Sequence, residues 1–207
     1  MPVPGVALVF PVLMLMQMMS NGGIGGGVSS AVARALGANR QGDAGALVWH
    51  ALVLACWLGL VFTVATIAAG PALYRAMGGT GKTLAAALIY SNTVFAGSVP
   101  LWIAALLSSA LRGAGNVKVP AFVTFAGAAI LIPLSPALTF DWGPFPRLGI
   151  AGGGAAVVIY YVLAALMLIG YLRSPRSPLK LTVVGNAVFA NGRPSLWRDR
   201  TPVSLKS

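Results

Sequence analysis

The spacing of charges constrains this chain more than any other feature. No Asp, Glu, Lys or Arg occurs in residues 1–33, and further uncharged runs cover 44–74, 83–111, 119–140 and 148–172. Each run exceeds the roughly 20 apolar residues that carry an α-helix across a bilayer. Only 8% of the 207 residues are charged and 57% are hydrophobic, where a soluble domain carries about 25% charged residues. Short alternating apolar and polar segments, which a membrane β-barrel requires, are missing. The expected fold is therefore an all-α integral membrane protein with about five transmembrane helices, near 6–32, 45–70, 86–110, 119–139 and 149–171.

The residues between these runs set an orientation. Arg34 and Arg40 follow the first run, Arg75 and Lys82 the second, Arg112 and Lys118 the third, and Arg147 the fourth. Taking alternate segments, eleven of the 14 basic residues fall on one side and three on the other, the residues beyond Leu172 contributing most of the difference. Cytoplasmic loops carry the excess of Lys and Arg, so the C-terminus is expected in the cytoplasm and the protein in the cell (plasma or inner) membrane. Residues 173–207 are rich in Pro, Ser and basic side chains and read as a disordered cytoplasmic tail lying on anionic headgroups. The net charge of +11 is explained by topology and lipid contact, so no nucleic-acid partner is expected.

Polar residues inside the runs are the candidates for function. Gln17 and Asn21 are four apart and, with Ser20, lie on one helical face. Amides in hydrocarbon are costly unless paired, so this face should look into the bundle or a wet cavity. Ser91 and Asn92, in the third run, are added as cavity candidates. Small residues mark close packing: Gly26 within the stretch from Gly25 to Ala33, and Gly149 with Gly153 at the start of the fifth span. Pro133 and Pro136 should kink or end the fourth span. Residues 141–146 read as an interfacial turn anchored by Trp142.

Enzyme chemistry has little to work with. No acid lies within a span, and one His and one Cys (His50 and Cys56) cannot form a metal cluster. No catalytic residue, metal site or cofactor is expected. His50 reads as an interfacial or helix-pairing histidine. Residues 78–83, Gly-Gly-Thr-Gly-Lys-Thr, look like the end of a phosphate-binding loop, but Ala76 stands where that motif needs glycine and a membrane span precedes it. A glycine-rich connection suffices.

Four motifs, in order, resemble one family. Val28 to Arg40 resembles the end of the second helix of multidrug and toxic compound extrusion (MATE) transporters. Tyr74 to Gly78 matches the loop after the third helix, Ala110 to Pro120 the loop after the fourth, and Trp142 to Gly152 the entry to the sixth. The resemblance implies an exporter of organic cations and other amphipathic compounds, exchanging them for H+ or Na+. It implies that the chain is a fragment: helices two to six of the N-terminal lobe, without the first helix or the second lobe. Where many relatives carry an Asn and an acid before a proline in helix five, this chain has Leu131 and Ser135 before Pro136. A coupling acid is then expected outside these residues. The alternatives are a truncated membrane protein or interaction subunit without activity of its own, and a lipid-linked saccharide flippase of the same superfamily.

Overall fold

The computed structural model describes residues 3–140 and 149–175, together with Ser177 and Leu179. The described residues are helical apart from short connections. α1 (Val3–Gln17) passes through one π-helical turn (Met18–Gly23) into α2 (Ile24–Gly37), then follow α3 (Gln41–Ala76), α4 (Gly81–Ala96), α5 (Ser98–Gly113), α6 (Lys118–Phe140) and α7 (Ile150–Arg173). The α1–α2 unit, α3, α6 and α7 are each long and apolar enough to cross a membrane, and α4 with α5 makes a fifth span bent by 50°. The interfacial turn expected at 141–146, with Trp142, lies outside the described residues. So does most of the expected tail. Leu179, near its start, is 1% exposed and belongs to the core cluster with Leu168 and Leu172.

The third span departs from the continuous helix expected. Pro100 has no N–H for the carbonyl of Ala96, and its ring would clash with that turn of a continuous helix. The chain therefore breaks at Gly97 and restarts at Ser98, which puts Pro100 in the first turn of α5, where it is tolerated. Thr63 of α3 closes the break by donating its hydroxyl to the Phe95 carbonyl at 2.7 Å. In contrast, α6 runs through Pro133 and Pro136 and ends only at Phe140.

α5 is the central helix and touches α2, α3 and α7 along its length. Leu101, Trp102, Leu106, Leu107, Ala110 and Leu111 are all buried. Its neighbours approach closely because they present small residues there. A Cβ on Gly59 of α3 would stand 2.5 Å from the Val99 Cα. Gly25 and Ser29 of α2 oppose Ser109 and Gly113 of α5: a Cβ on Gly25 would lie 2.6 Å from the Ser109 hydroxyl, and one on Gly113 2.9 Å from the Ser29 Cα. Each pair is four residues apart, the spacing that lets two membrane helices approach backbone to backbone.

None of the three expected packing positions makes a close approach. Gly26 points outward, with nothing within 4 Å of a built Cβ, and Gly25 makes the contact instead. Gly149 also has open space. Its role is conformational: it starts α7 at φ +55. Gly153 has only ordinary contacts, at 3.9 Å, with Thr139 and Tyr90. The close approaches of α7 come at Gly152, against the Leu138 carbonyl of α6, and at Gly154, 3.1 Å from Thr93 of α4. A 100° step per residue means that a one-residue shift moves a glycine off the contact face.

Three helix ends are closed in the same way. After α2, Asn39 (φ 57) takes the left-handed conformation, with Asn39 N–H bonded to Leu36 O and Arg40 N–H to Ala35 O, both at 2.9 Å. Gly78 (φ 90) does the same after α3, and Gly115 (φ 78) after α5. This is the Schellman arrangement, which satisfies carbonyls that a helix end would otherwise leave open. It explains residues 78–83 as the turn after α3 followed by the first residues of α4.

Two stability predictions follow from these contacts. Gly113→Ala should cost about 1–3 kcal/mol by forcing α2 and α5 apart, whereas Gly26→Ala should be neutral or stabilise by up to about 1 kcal/mol through helix propensity. Thermal unfolding in detergent separates them, and equal behaviour of the two variants would contradict the packing. Gly115→Ala should cost about 1–2 kcal/mol, since L-residues pay that much in the left-handed region. An unchanged unfolding midpoint would count against the cap.

Candidate functional site

The polar face of the first span opens at the π-helical turn. Gln17 is the last residue of α1, and the turn places Ser20 and Asn21 back over it. The Ser20 hydroxyl donates to the Gln17 carbonyl at 3.2 Å, and Asn21 Nδ2 donates to the same oxygen at 3.3 Å. Single π turns inside α-helices occur often at functional sites because they redirect side chains locally. Here the Gln17 side chain reaches across to α7, where Nε2 donates to the Tyr161 hydroxyl at 3.3 Å.

Gln17, Asn21 and Tyr161 line a cleft of about 180 Å³ bounded by the first span, α5, α6 and α7. Gln17 and Asn21 form one wall, and Tyr160 and Tyr161 another, with their rings edge to face at 4.7 Å between centroids. α5 contributes Ala104, Ala105 and Ser108, small enough to leave the space open, and Thr124 of α6 lies opposite. Thr124 returns its hydroxyl to the Pro120 carbonyl at 2.9 Å. Arg112 also lines the cleft, at the C-terminal end of α5, where a cation is favoured by the helix dipole. Its guanidinium donates to the Ser109 hydroxyl at 2.7 Å. No carboxylate lines this cleft among the described residues.

Of the four cavity candidates named from the sequence, Gln17 and Asn21 come together here. Ser91 is fully buried elsewhere, its hydroxyl 2.6 Å from that of Tyr74. Asn92 is exposed and does not line the cleft. Sequence reasoning passed over Tyr160, Tyr161, Ser108 and Arg112. Two adjacent tyrosines deep inside an apolar run were a usable signal, because a phenol hydroxyl there needs a partner. Arg112 was counted only as a marker of the membrane surface. His50 is exposed on α3 with its Nδ1 2.7 Å from the Ala46 carbonyl, away from the cleft.

A bundle of helices long and apolar enough to cross a membrane, packed around a polar cleft, defines a multi-pass α-helical membrane protein. The MatE family profile matches residues 1–137, and the chain belongs to that family. Its relatives are transporters rather than enzymes. The chain is 29% identical over 178 residues, 86% of its length, to the probable multidrug resistance protein YoeA of Bacillus subtilis. It is 30% identical over 168 residues, 81% of its length, to a protein of Shewanella oneidensis named as an FAD transporter. The inward-facing structure of a multidrug resistance MATE transporter superimposes with a TM-score of 0.81 at 27% identity over 87% of this chain. The chain spans 38% of the Bacillus protein, 36% of the Shewanella protein and 40% of the inward-facing transporter.

The Gln17–Tyr161 bond gives a direct check on the cleft. A double-mutant cycle of Gln17→Leu and Tyr161→Phe should yield a coupling of about 0.6 kcal/mol, typical of hydrogen bonds between membrane helices. Strict additivity of the two unfolding free energies would show that the bond does not form.

Proposed function

We propose that this chain forms part of a transporter that exports organic cations and other small amphipathic compounds across the cell membrane in exchange for H+ or Na+. The observation that carries this reading is the cleft at Gln17, Asn21, Tyr160 and Tyr161, which pairs amides with aromatic faces inside a membrane bundle. Tyrosine faces attract organic cations, and the amides orient polar substituents. The multidrug resistance naming of the Bacillus relative points the same way. A second lobe completing the substrate path belongs to this reading, since each relative extends well beyond the matched region. Asp43 is the one acid among the described residues, and it sits exposed in the first turn of α3. A carboxylate for an exchanged proton or sodium ion would therefore come from outside the described residues.

Orientation belongs to the same proposal. The loop with Arg34 and Arg40, the loop with Arg112 and Lys118, and the end of α7 with Arg173 meet at one end of the bundle. There Asn116 Nδ2 donates to the Tyr171 hydroxyl at 2.8 Å, and Val32, Ala44, Leu111 and Leu172 share one core. This end is the cytoplasmic one by the positive-inside rule, and the cytoplasmic C-terminus expected from the charge count belongs to the same reading.

Arg112 supports a second reading. A cleft with an arginine and no described carboxylate suits anionic substrates, and the Shewanella relative is named for a phosphate-bearing dinucleotide. Uptake into inverted vesicles separates the two readings, comparing ethidium with FAD, with and without a proton or sodium gradient. The first reading expects gradient-dependent ethidium uptake that falls at least tenfold in Tyr161→Ala. FAD uptake lost in Arg112→Gln supports the second. Absence of flux for both probes, in the chain alone and with a second lobe co-expressed, would leave neither standing.

A further inference from the structure

We propose that the groove between α2 and α3 is a binding site for one anionic phospholipid, with the phosphate at Arg34 and an acyl chain running along the groove towards Leu54. Two adjoining cavities, of about 390 and 360 Å³, form this groove and share Ala31, Leu47 and His50. They differ in chemistry along their length. The end near the helix termini carries Arg34, Arg40 and Asp43, and the inner end is bounded by Gly27, Ala51 and Leu54. A charged end at the membrane surface leading into an apolar slot matches a headgroup followed by a chain.

The charge balance selects an anion. Arg40 is paired with Asp43 at 3.6 Å. Among the described residues no acid pairs with Arg34, so one positive charge is left to meet one phosphodiester. His50 defines a further contact. A carbonyl accepts only, so the ring nitrogen 2.7 Å from Ala46 O carries the proton, which leaves Nε2 for a ligand in the groove. The hydroxyls of a glycerol headgroup can donate to that nitrogen or accept from it. The slot is open because α2 places glycine there: nothing lies within 4 Å of a Cβ built on Gly27. Continuity with the lipid-facing surface favours a lipid over a protein segment, since Val53 and Trp57 beside the slot are 53% and 63% exposed. The site lies apart from the cleft of Gln17 and Tyr161.

Native mass spectrometry of the full chain, released from detergent micelles doped with defined lipids, tests the site. Phosphatidylglycerol should be retained at one molecule per chain, and phosphatidylcholine should not. Arg34→Gln should weaken retention about fivefold, the factor corresponding to about 1 kcal/mol for one basic residue at an anionic surface. Arg34→Lys should restore it, and Gly27→Leu should abolish it by filling the slot. Both positions are exposed, so these variants fold, and thermal unfolding without lipid verifies this. Equal retention of phosphatidylcholine would overturn the proposal, as would retention unchanged in both Arg34→Gln and Gly27→Leu. Competition by inorganic phosphate alone, as strong as by lipid, would overturn the acyl-chain half. A chain dimer in place of the lipid adduct, lost in Gly27→Leu, would assign the groove to a second copy instead.

Discussion

The backbone-to-backbone approach of α5 to its neighbours is the contact on which the rest of the bundle depends. Lipid tails are as apolar as leucine, so burying side chains supplies no hydrophobic gain between membrane helices, and association rests on packing. Small residues permit that packing at Gly59 on α3, at Gly25 and Ser29 on α2, and at Ser109 and Gly113 on α5 itself. The break at Gly97 serves the same end. It turns α5 away from the line of α4, and Gly97 itself receives Val158 of α7, whose Cγ2 lies 2.5 Å from where a Cβ would stand. With α5 held from three sides, its remaining small face, at Ala104, Ala105 and Ser108, is left opposite Gln17 and Tyr161 as the cleft.

Several short motifs that mark the family have a local physical meaning. The runs ending α2, α3 and α5 place Asn39, Gly78 or Gly115 in the left-handed conformation and close the helix with the same pair of backbone bonds. Such a cap ends a helix sharply and satisfies carbonyls without relying on water. The phosphate-loop likeness of residues 78–83 belongs to this capping chemistry. After the third of these caps, Asn116 does more: its Oδ1 accepts the Val119 N–H at the start of α6 while its Nδ2 bonds Tyr171. One side chain thus fixes the loop to both its flanking helix and α7.

The cleft was half legible in the sequence. Gln17 and Asn21 could be read because two amides on one helical face cannot be left to hydrocarbon. The same logic placed Ser91 and Asn92 in a cavity, but polar groups inside a membrane protein have more than one way to be satisfied. Ser91 found Tyr74 within the core, and Asn92 stands on an exposed face. Tyr160, Tyr161 and Arg112 became cavity residues through the position of α7 and the end of α5, which charge spacing does not specify. The π-helical turn that brings Ser20 and Asn21 over Gln17 follows a run of weak helix formers, Ser20, Asn21, Gly22 and Gly23, and such runs also occur in regular helices.

The sequence by itself determined the class and the helical stretches apolar enough to cross a membrane. Those follow from transfer energies, which act on each residue regardless of its partners. The tertiary structure alone decided which glycines carry contacts, Gly25 rather than Gly26 and Gly152 and Gly154 rather than Gly149 and Gly153. It also decided where the third span bends and which polar groups share a cleft. Those outcomes depend on helix rotation to within about 100°, one residue's step. Rotation is settled only when α2, α3, α5 and α7 pack against one another.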